Sequence, residues 1–405
     1  MAVLKLGIVD KGKIPYDKGQ FLQPYHRWMA THLRDRDQFR DEANFKWNSF
    51  EEIPGKEVSI LQRFLHEAGF FPNAEMSGIF GYGTQAAVRL FQEYVRNYEG
   101  DKSIGIPDGI VGTKTWQHTM RWQQENIKCE WADYSWENPT QEFKYWISIL
   151  KAAKRYYKSK KNIVFDAVRT YPKASDTVVV EDWEFDAKET HLIGIRRKEN
   201  SAEDNKENND LFILLINGLV FKFWGSTDPN SKMTSRPDEA YLVEGQHKYR
   251  MSWHKISNAQ KIYKALRPYS RGVLVYRDQV NDDALTEDDI SKGLDEPNTT
   301  INIHWSGDGH VNFSAGCQVI AGRSYIAPGD NLIDCTDYSS PSYAGLSNNK
   351  TRGAYNVLSD LVVCYNKLGN DAVWYTLGRE KCLKYIDKRF SDTYLEETVQ
   401  LVKSV

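Results

Sequence analysis

No stretch of this chain is apolar over the ~20 residues that a membrane-crossing helix needs, so no integral membrane segment is expected. Its beginning, MAVLKLGIVDKGKIPYDKG, has too short an apolar run for a secretory h-region and no small-residue cleavage site. Synthesis in the cytoplasm without a secretory signal is therefore the expectation. An excess of one charge is missing as well. The 53 Lys and Arg nearly balance the 55 Asp and Glu, and a net charge of −2 offers a nucleic acid no global basic field. Cysteine is scarce: Cys129, Cys317, Cys335, Cys364 and Cys382 are odd in number and irregularly spaced, which argues against a disulfide framework or zinc knuckle and for free thiols. Aromatic residues, by contrast, are abundant. Twelve Trp within a 13% aromatic content suit surfaces that face carbohydrate or peptide, and 405 residues leave room for two or three domains.

The sharpest pattern in the first third lies in residues 57–121. Ile60, Leu61, Phe64, Leu65 and Ala68 recur at helical spacing with Gly69 as a stop, and Ala87, Val88, Leu90, Phe91 and Val95 repeat the behaviour. Two near-copies of one turn-plus-cap unit accompany these helices: SGIFGYGT from Ser77 and DGIVGTKT from Asp108, offset by 31 residues. In each, glycine permits the turn, an apolar pair plugs the core and a threonine opens the next helix. Together with Leu61-Gln62 and Phe91-Gln92, this pattern resembles the three-helix peptidoglycan-binding domain attached to many wall-cutting enzymes. The resemblance implies peptidoglycan as a partner. Ser77 stands where that family usually has aspartate, and the insert 97–106 is long.

Ahead of this unit, residues 1–56 carry a strand candidate at 3–9 and a helix candidate lined by Trp28, Leu33 and Phe39, with no chemical constellation; a docking extension for an assembly partner is expected there. Residues 124–161 read as a linker with a connecting helix at 145–157, whose outer face opens the basic run Lys151, Lys154, Arg155, Lys158, Lys160 and Lys161. From residue 162 to 405 the period changes to two. VRTY, TVVV and HLIGIRR are strand candidates, and Asn217-Gly218 between apolar runs at 211–216 and 219–224 is a strong hairpin signal. A strand region at 241–254, a short helix near 258–266, the strand VLVYR, a helix at 355–368, a closing strand at 372–377 and a final helix at 395–402 complete the reading.

The chemistry concentrates in INIHWSGDGHVNFSAGCQVI, residues 301–320. An alternating apolar run ends at His304, and thirteen residues later Cys317 stands in Ser314-Ala315-Gly316-Cys317-Gln318. A thiol is only a few per cent ionised at neutral pH, so a nucleophilic cysteine needs a base, and imidazole fits that task. Gly316 lets backbone N–H groups approach an oxyanion, and Ser314 adds a hydroxyl donor. His304, held at a strand end, is preferred as base over His310, which lies beside the glycine-rich loop 307–309. Its expected orienter is a backbone carbonyl such as that of Trp305, with Asp308 as the alternative.

This segment resembles the catalytic motif of L,D-transpeptidases, in which a histidine after an apolar strand is followed by Ser-x-Gly-Cys and the cysteine attacks peptidoglycan peptides. The matching positions are His304, Ser314, Gly316 and Cys317. Trp305, Ala315 and Gln318 depart from the glycine, histidine and arginine usual there, and Arg323 and Arg352 are candidates to replace that arginine. The two resemblances imply an α+β multidomain protein, a small three-helix wall-binding domain (57–123) followed by a β-rich L,D-transpeptidase-like domain with peripheral helices (162–405). They imply a cofactor-free cysteine enzyme that cleaves or exchanges stem-peptide bonds through a thioester. Two other classes compete: a zinc peptidase using His247, His254, His304, His310 and Asp308, and a non-catalytic wall-binding part of a phage tail or contractile injection particle. The second would explain how a wall protein without a secretory signal reaches its substrate.

Overall fold

The structure is a computed structural model that describes residues 2–14, 50–159, 162–197, 207–230, 233, 238–254, 263–279, 286–295, 297–342, 346, 349–366 and 371–405. Two short strands, β1 (Ile8–Asp10) and β2 (Glu51–Ile53), pair in parallel beside three helices, α1 (Glu57–Glu67), α2 (Tyr82–Asn97) and α3 (Thr113–Glu125). Asp10 accepts the N–H groups of Val58 and Ser59, both at 2.9 Å, and so caps α1 from a distant part of the chain. Leu4 bridges Val111 and Val9 bridges Ile79. The start of the chain is thus woven into the helical unit, while 15–49, with Trp28, Leu33 and Phe39, lie outside the described residues.

The sequence repeat is a repeat of hydrogen bonds. Gln62 Nε2 donates to the Ile79 carbonyl and to Thr84 Oγ1, both at 3.0 Å, while its Oε1 accepts the Gly78 N–H. Gln92 does the same with Ile110, Thr115 and Gly109. Each glutamine therefore ties a helix to the following turn and satisfies buried backbone groups that water cannot reach. Phe64, Phe91 and Trp122 fill the space between helices edge to face, with centroids 5.1 to 6.4 Å apart. One expectation changes: Ile60 is 52% exposed rather than inward.

Helices α4 (Gln141–Ser159) and α5 (Ile163–Thr170) lead into the β-rich part. The stretch VRTY, expected as a strand, ends α5, where Asn162 Oδ1 caps the helix by accepting the Val164 N–H. The strands are β3 (Thr177–Val178), β4 (Thr190–Arg196), β5 (Asp210–Ile216), β6 (Leu219–Ser226), β7 (Ala240–Leu242), β8 (Gly245–His254), β9 (Tyr263–Pro268) and β10 (Val275–Arg277). After α6 (Glu287–Ser291) come β11 (Ile303–Trp305), β12 (Gln318–Ile320), β13 (Ser324–Ala327) and β14 (Asn331–Asp334), then α7 (Ala354–Tyr365), β15 (Ala372–Arg379), α8 (Leu383–Ile386) and α9 (Tyr394–Lys403). The helix expected near 258–266 is not observed where it is described: Tyr263 to Leu266 belong to β9, whose residues pair with β8, and 255–262 lie outside the described residues.

Neighbouring strands run β12-β11-β9-β8-β15-β4-β5-β6, and β12 pairs again with β6, which closes the path into a barrel. Closure depends on Gly225, since a Cβ there would collide with the Val319 carbonyl oxygen. The β5–β6 hairpin turns at Asn217 (φ 47°) and Gly218 (φ 81°), the left-handed pair that its sequence announces. Helix α7, buried along its whole length, lies between the barrel and α2. For that reason α2 is buried from Tyr82 to Arg96 on every side, including Arg89 and Glu93, and one apolar cluster runs from the helical unit into the barrel. No helix among the described residues is long and apolar enough to cross a membrane.

Candidate functional site

Strands β11 and β12 are parallel, with Ile303 opposite Gln318 and His304 opposite Val319. The loop 306–317 between them is about the dozen residues that a parallel crossover requires. One step back along this register, the Gln318 N–H donates to the Asn302 carbonyl at 2.9 Å, and the Asn302 N–H points to Cys317 Sγ at 3.3 Å. Side chains alternate along a strand, so Asn302, His304 and Cys317 share one face and Ile303 and Gln318 the other. The histidine and the thiol are thus set diagonally on neighbouring strands by pairing alone.

His304 is 5% exposed and firmly oriented. Its Nδ1 lies 2.9 Å from the Trp305 carbonyl and 3.2 Å from Tyr263 Oη. A carbonyl can only accept, so Nδ1 carries the proton and the lone pair falls on Nε2. This is the carbonyl expected from the sequence. The alternative orienter, Asp308, is instead paired with His310 at 2.8 Å, on an imidazole that is 67% exposed. His254 stacks on His304 with ring centroids 4.1 Å apart and planes 18° apart, and its Nδ1 lies 3.0 Å from Asn302 Nδ2.

Cys317 is half-buried, and its thiol donates to the Thr300 carbonyl at 3.3 Å. The turn before it is self-contained. Ser314 Oγ donates to the Cys317 carbonyl at 2.7 Å and accepts the Gly316 N–H at 3.2 Å, with Gly316 at φ 153°. The two groups expected to meet an oxyanion therefore close the turn that presents the thiol. Cys129, Cys335 and Cys364 are buried, and burial pushes their thiols up, Cys129 to about 12.

Of the candidate arginines, Arg352 joins this group, its guanidinium 4.4 Å from the Tyr263 ring centroid and 5.6 Å from that of Trp305. Arg323 sits in the turn after β12, where its carbonyl accepts the Cys335 N–H. His247 is elsewhere, its Nδ1 3.0 Å from Thr177 Oγ1 and its Nε2 2.9 Å from the Val243 carbonyl, and burial lowers it to about 4. Among the described residues no group of three or more His, Cys, Asp or Glu side chains is placed to hold a metal. Asn302, Tyr263 and Arg267 were not singled out by sequence, although the alternation Ile301-Asn302-Ile303-His304 marks Asn302 and His304 as partners on one face.

Comparison with curated proteins gives no match, and neither does comparison with solved structures. A family model does match: residues 54–118 fit the one described as "Putative peptidoglycan binding domain". The chain thus carries a peptidoglycan-binding domain, followed by a β-rich region with a barrel.

Proposed function

We propose that this protein is a cysteine enzyme that cleaves or exchanges peptide bonds in peptidoglycan stem peptides, held to its polymer by residues 54–118. The observation that carries the reading is the β11–β12 register, which sets His304 and Cys317 on one face while the Trp305 carbonyl fixes the tautomer a base requires. The Cys317 S–H proton passes to His304 Nε2, and the thiolate, with the Asn302 N–H on its sulfur, attacks a peptide carbonyl carbon. As the C–N bond breaks, the imidazolium returns its proton to the departing amine, leaving a thioester. A second amine then gives exchange and water gives hydrolysis.

Incubating the full chain with purified sacculi and reading stem peptides by mass spectrometry tests this. New or shortened stems that vanish with Cys317→Ala are expected; unchanged stems with the wild-type protein would remove the enzymatic reading. A second reading, a wall-binding protein without chemistry, is favoured by the closed Ser314–Cys317 turn, whose hydroxyl and N–H are spent on each other and on the Cys317 carbonyl. It predicts sedimentation with sacculi and no change in their peptides.

A further inference from the structure

The face that holds His304 and Cys317 includes a cation that neither motif contains. Leu266 on β9 lies opposite Ile303 on β11 in an antiparallel pair, so the next residues, Arg267 and Asn302, follow together on the other face. Asn302 in turn neighbours Cys317 through the parallel pair. A cross-strand row Arg267, Asn302, Cys317 results. The contacts at its far side agree: Arg267 Nη2 donates to the Thr299 carbonyl at 3.4 Å, and the Cys317 thiol donates to the next carbonyl, that of Thr300, at 3.3 Å. Thiol and guanidinium are therefore anchored on consecutive peptide groups.

Arg267 is half-buried and has no carboxylate partner among the described residues. Among the described residues, its hydrogen-bond partners are the Thr299 carbonyl and the Trp253 carbonyl, the latter at 3.3 Å. Arg196, by contrast, has Asp228 at 2.9 Å and Glu244 at 3.0 Å. A guanidinium left without an anion in a partly desolvated place favours any neighbouring group that can become one. Burial pulls Arg267 below its ordinary value, and a negative charge on Cys317 would oppose that pull.

We propose that Arg267 is the electrostatic partner of the Cys317 thiolate, holding the sulfur ionised while His304 takes and returns the proton. The guanidinium gains and loses nothing in the step: the S–H bond breaks, an N–H bond forms at His304 Nε2, and the negative charge left on sulfur faces Arg267 and the Asn302 N–H. This rests on the enzymatic reading for its purpose but not for its test. It also gives the site a cation without calling on Arg323, whose described contacts lead elsewhere.

The test is the pH profile of Cys317 alkylation by iodoacetamide in the full chain, followed by peptide mass spectrometry so that Cys382, the other half-buried thiol, is scored separately. In the wild-type protein the midpoint is expected below the free-thiol value of about 8.5. Arg267→Gln, which keeps donors for the Trp253 and Thr299 carbonyls but removes the charge, is expected to raise the midpoint by about one pH unit and slow labelling at neutral pH about tenfold. Arg267→Lys should recover most of the loss, a rescue that a purely structural role would not give. A Gln variant that overlies the wild type overturns the proposal, as does a wild-type midpoint of a free thiol. Unchanged sacculi together with a low midpoint that moves in Arg267→Gln would instead sink the stem-peptide reading and leave the thiolate partner standing.

Discussion

Arg89 on α2 donates to both carboxylate oxygens of Asp360 on α7, at 2.6 and 2.8 Å, and Lys264 on β9 reaches the same carboxylate at 3.0 Å. All three side chains are nearly inaccessible to solvent. The bond joins the peptidoglycan-binding helices to the barrel strand that carries Arg267, so anchor and candidate site form one folded body. Asp360→Ala leaves two buried cations without their anion, a change expected to cost about 3–5 kcal/mol. Denaturant unfolding of the full chain checks this; a loss under about 1 kcal/mol would mean that the interface is far wetter than its burial implies. Residues 54–118 cut from the chain would expose the whole barrel-facing side of α2, so wall binding is best measured on the intact protein.

Glu93 supplies a pH dependence at the same interface. It accepts from Tyr338 Oη at 2.8 Å, from Tyr325 Oη at 3.1 Å and from Asn97 Nδ2 at 2.8 Å, yet complete burial outweighs these bonds and raises its pKa to about 7. The folded state thus holds a proton that the unfolded state releases near the ordinary carboxylate value. Stability is therefore expected to fall as pH rises from about 4.5 to about 7 and to level off above, by up to about 3 kcal/mol from this group. His247, lowered to about 4, works in the opposite direction over part of that window, and Asp210, raised to about 7, works in the same direction. The measurement is accordingly a difference: the slope of wild type minus Glu93→Gln between pH 4.5 and 7 should be negative, and a zero or positive difference refutes the assignment.

The two glutamines of the repeat should be energetically equivalent. Each of Gln62→Ala and Gln92→Ala strands a buried glycine N–H, worth about 1–3 kcal/mol, and takes one donor from an isoleucine carbonyl that keeps a threonine hydroxyl. Equilibrium unfolding of the two variants should give losses that agree within about 1 kcal/mol. Widely different losses would show that the sequence repeat is not a repeat of forces.

Local pattern made this duplicated unit readable, because the glutamine, the glycine turn and the threonine all act within one short stretch. The Asn217-Gly218 hairpin was legible for the same reason. His304 and its Trp305 carbonyl were also within reach, being neighbours in the chain. The cross-strand row was not. Tyr263 and His254 come to His304, and Arg267 to the row of Asn302 and Cys317, from β8 and β9, and only the order of strands around the barrel decides that β9 lies beside β11. Helix α2 misled in another way, since its apolar face looks sufficient for a small bundle until Arg89 and Glu93 find Asp360 and Tyr338 across the interface. The strand expected at VRTY failed because β-branched residues fit a short capped helix when Asn162 stands ahead of it.

The last prediction concerns the division of labour between His304 and His310. His304 is buried, its Nδ1 held by the Trp305 carbonyl and one ring face covered by His254, so its Nε2 is held in one orientation. His310 is exposed and pairs with Asp308 within the loop 306–317. A base must stay within hydrogen-bond reach of the proton it takes, which favours the fixed ring over the exposed one. On soluble muropeptides, Cys317→Ala should abolish turnover, His304→Ala should lower it by about a hundredfold or more, and His310→Ala should change it by less than about threefold. Sedimentation with sacculi should survive all three, because residues 54–118 are untouched. Should His310→Ala be the more damaging of the two, the base would have to be assigned to the loop, and the β11–β12 register would lose its role in the chemistry.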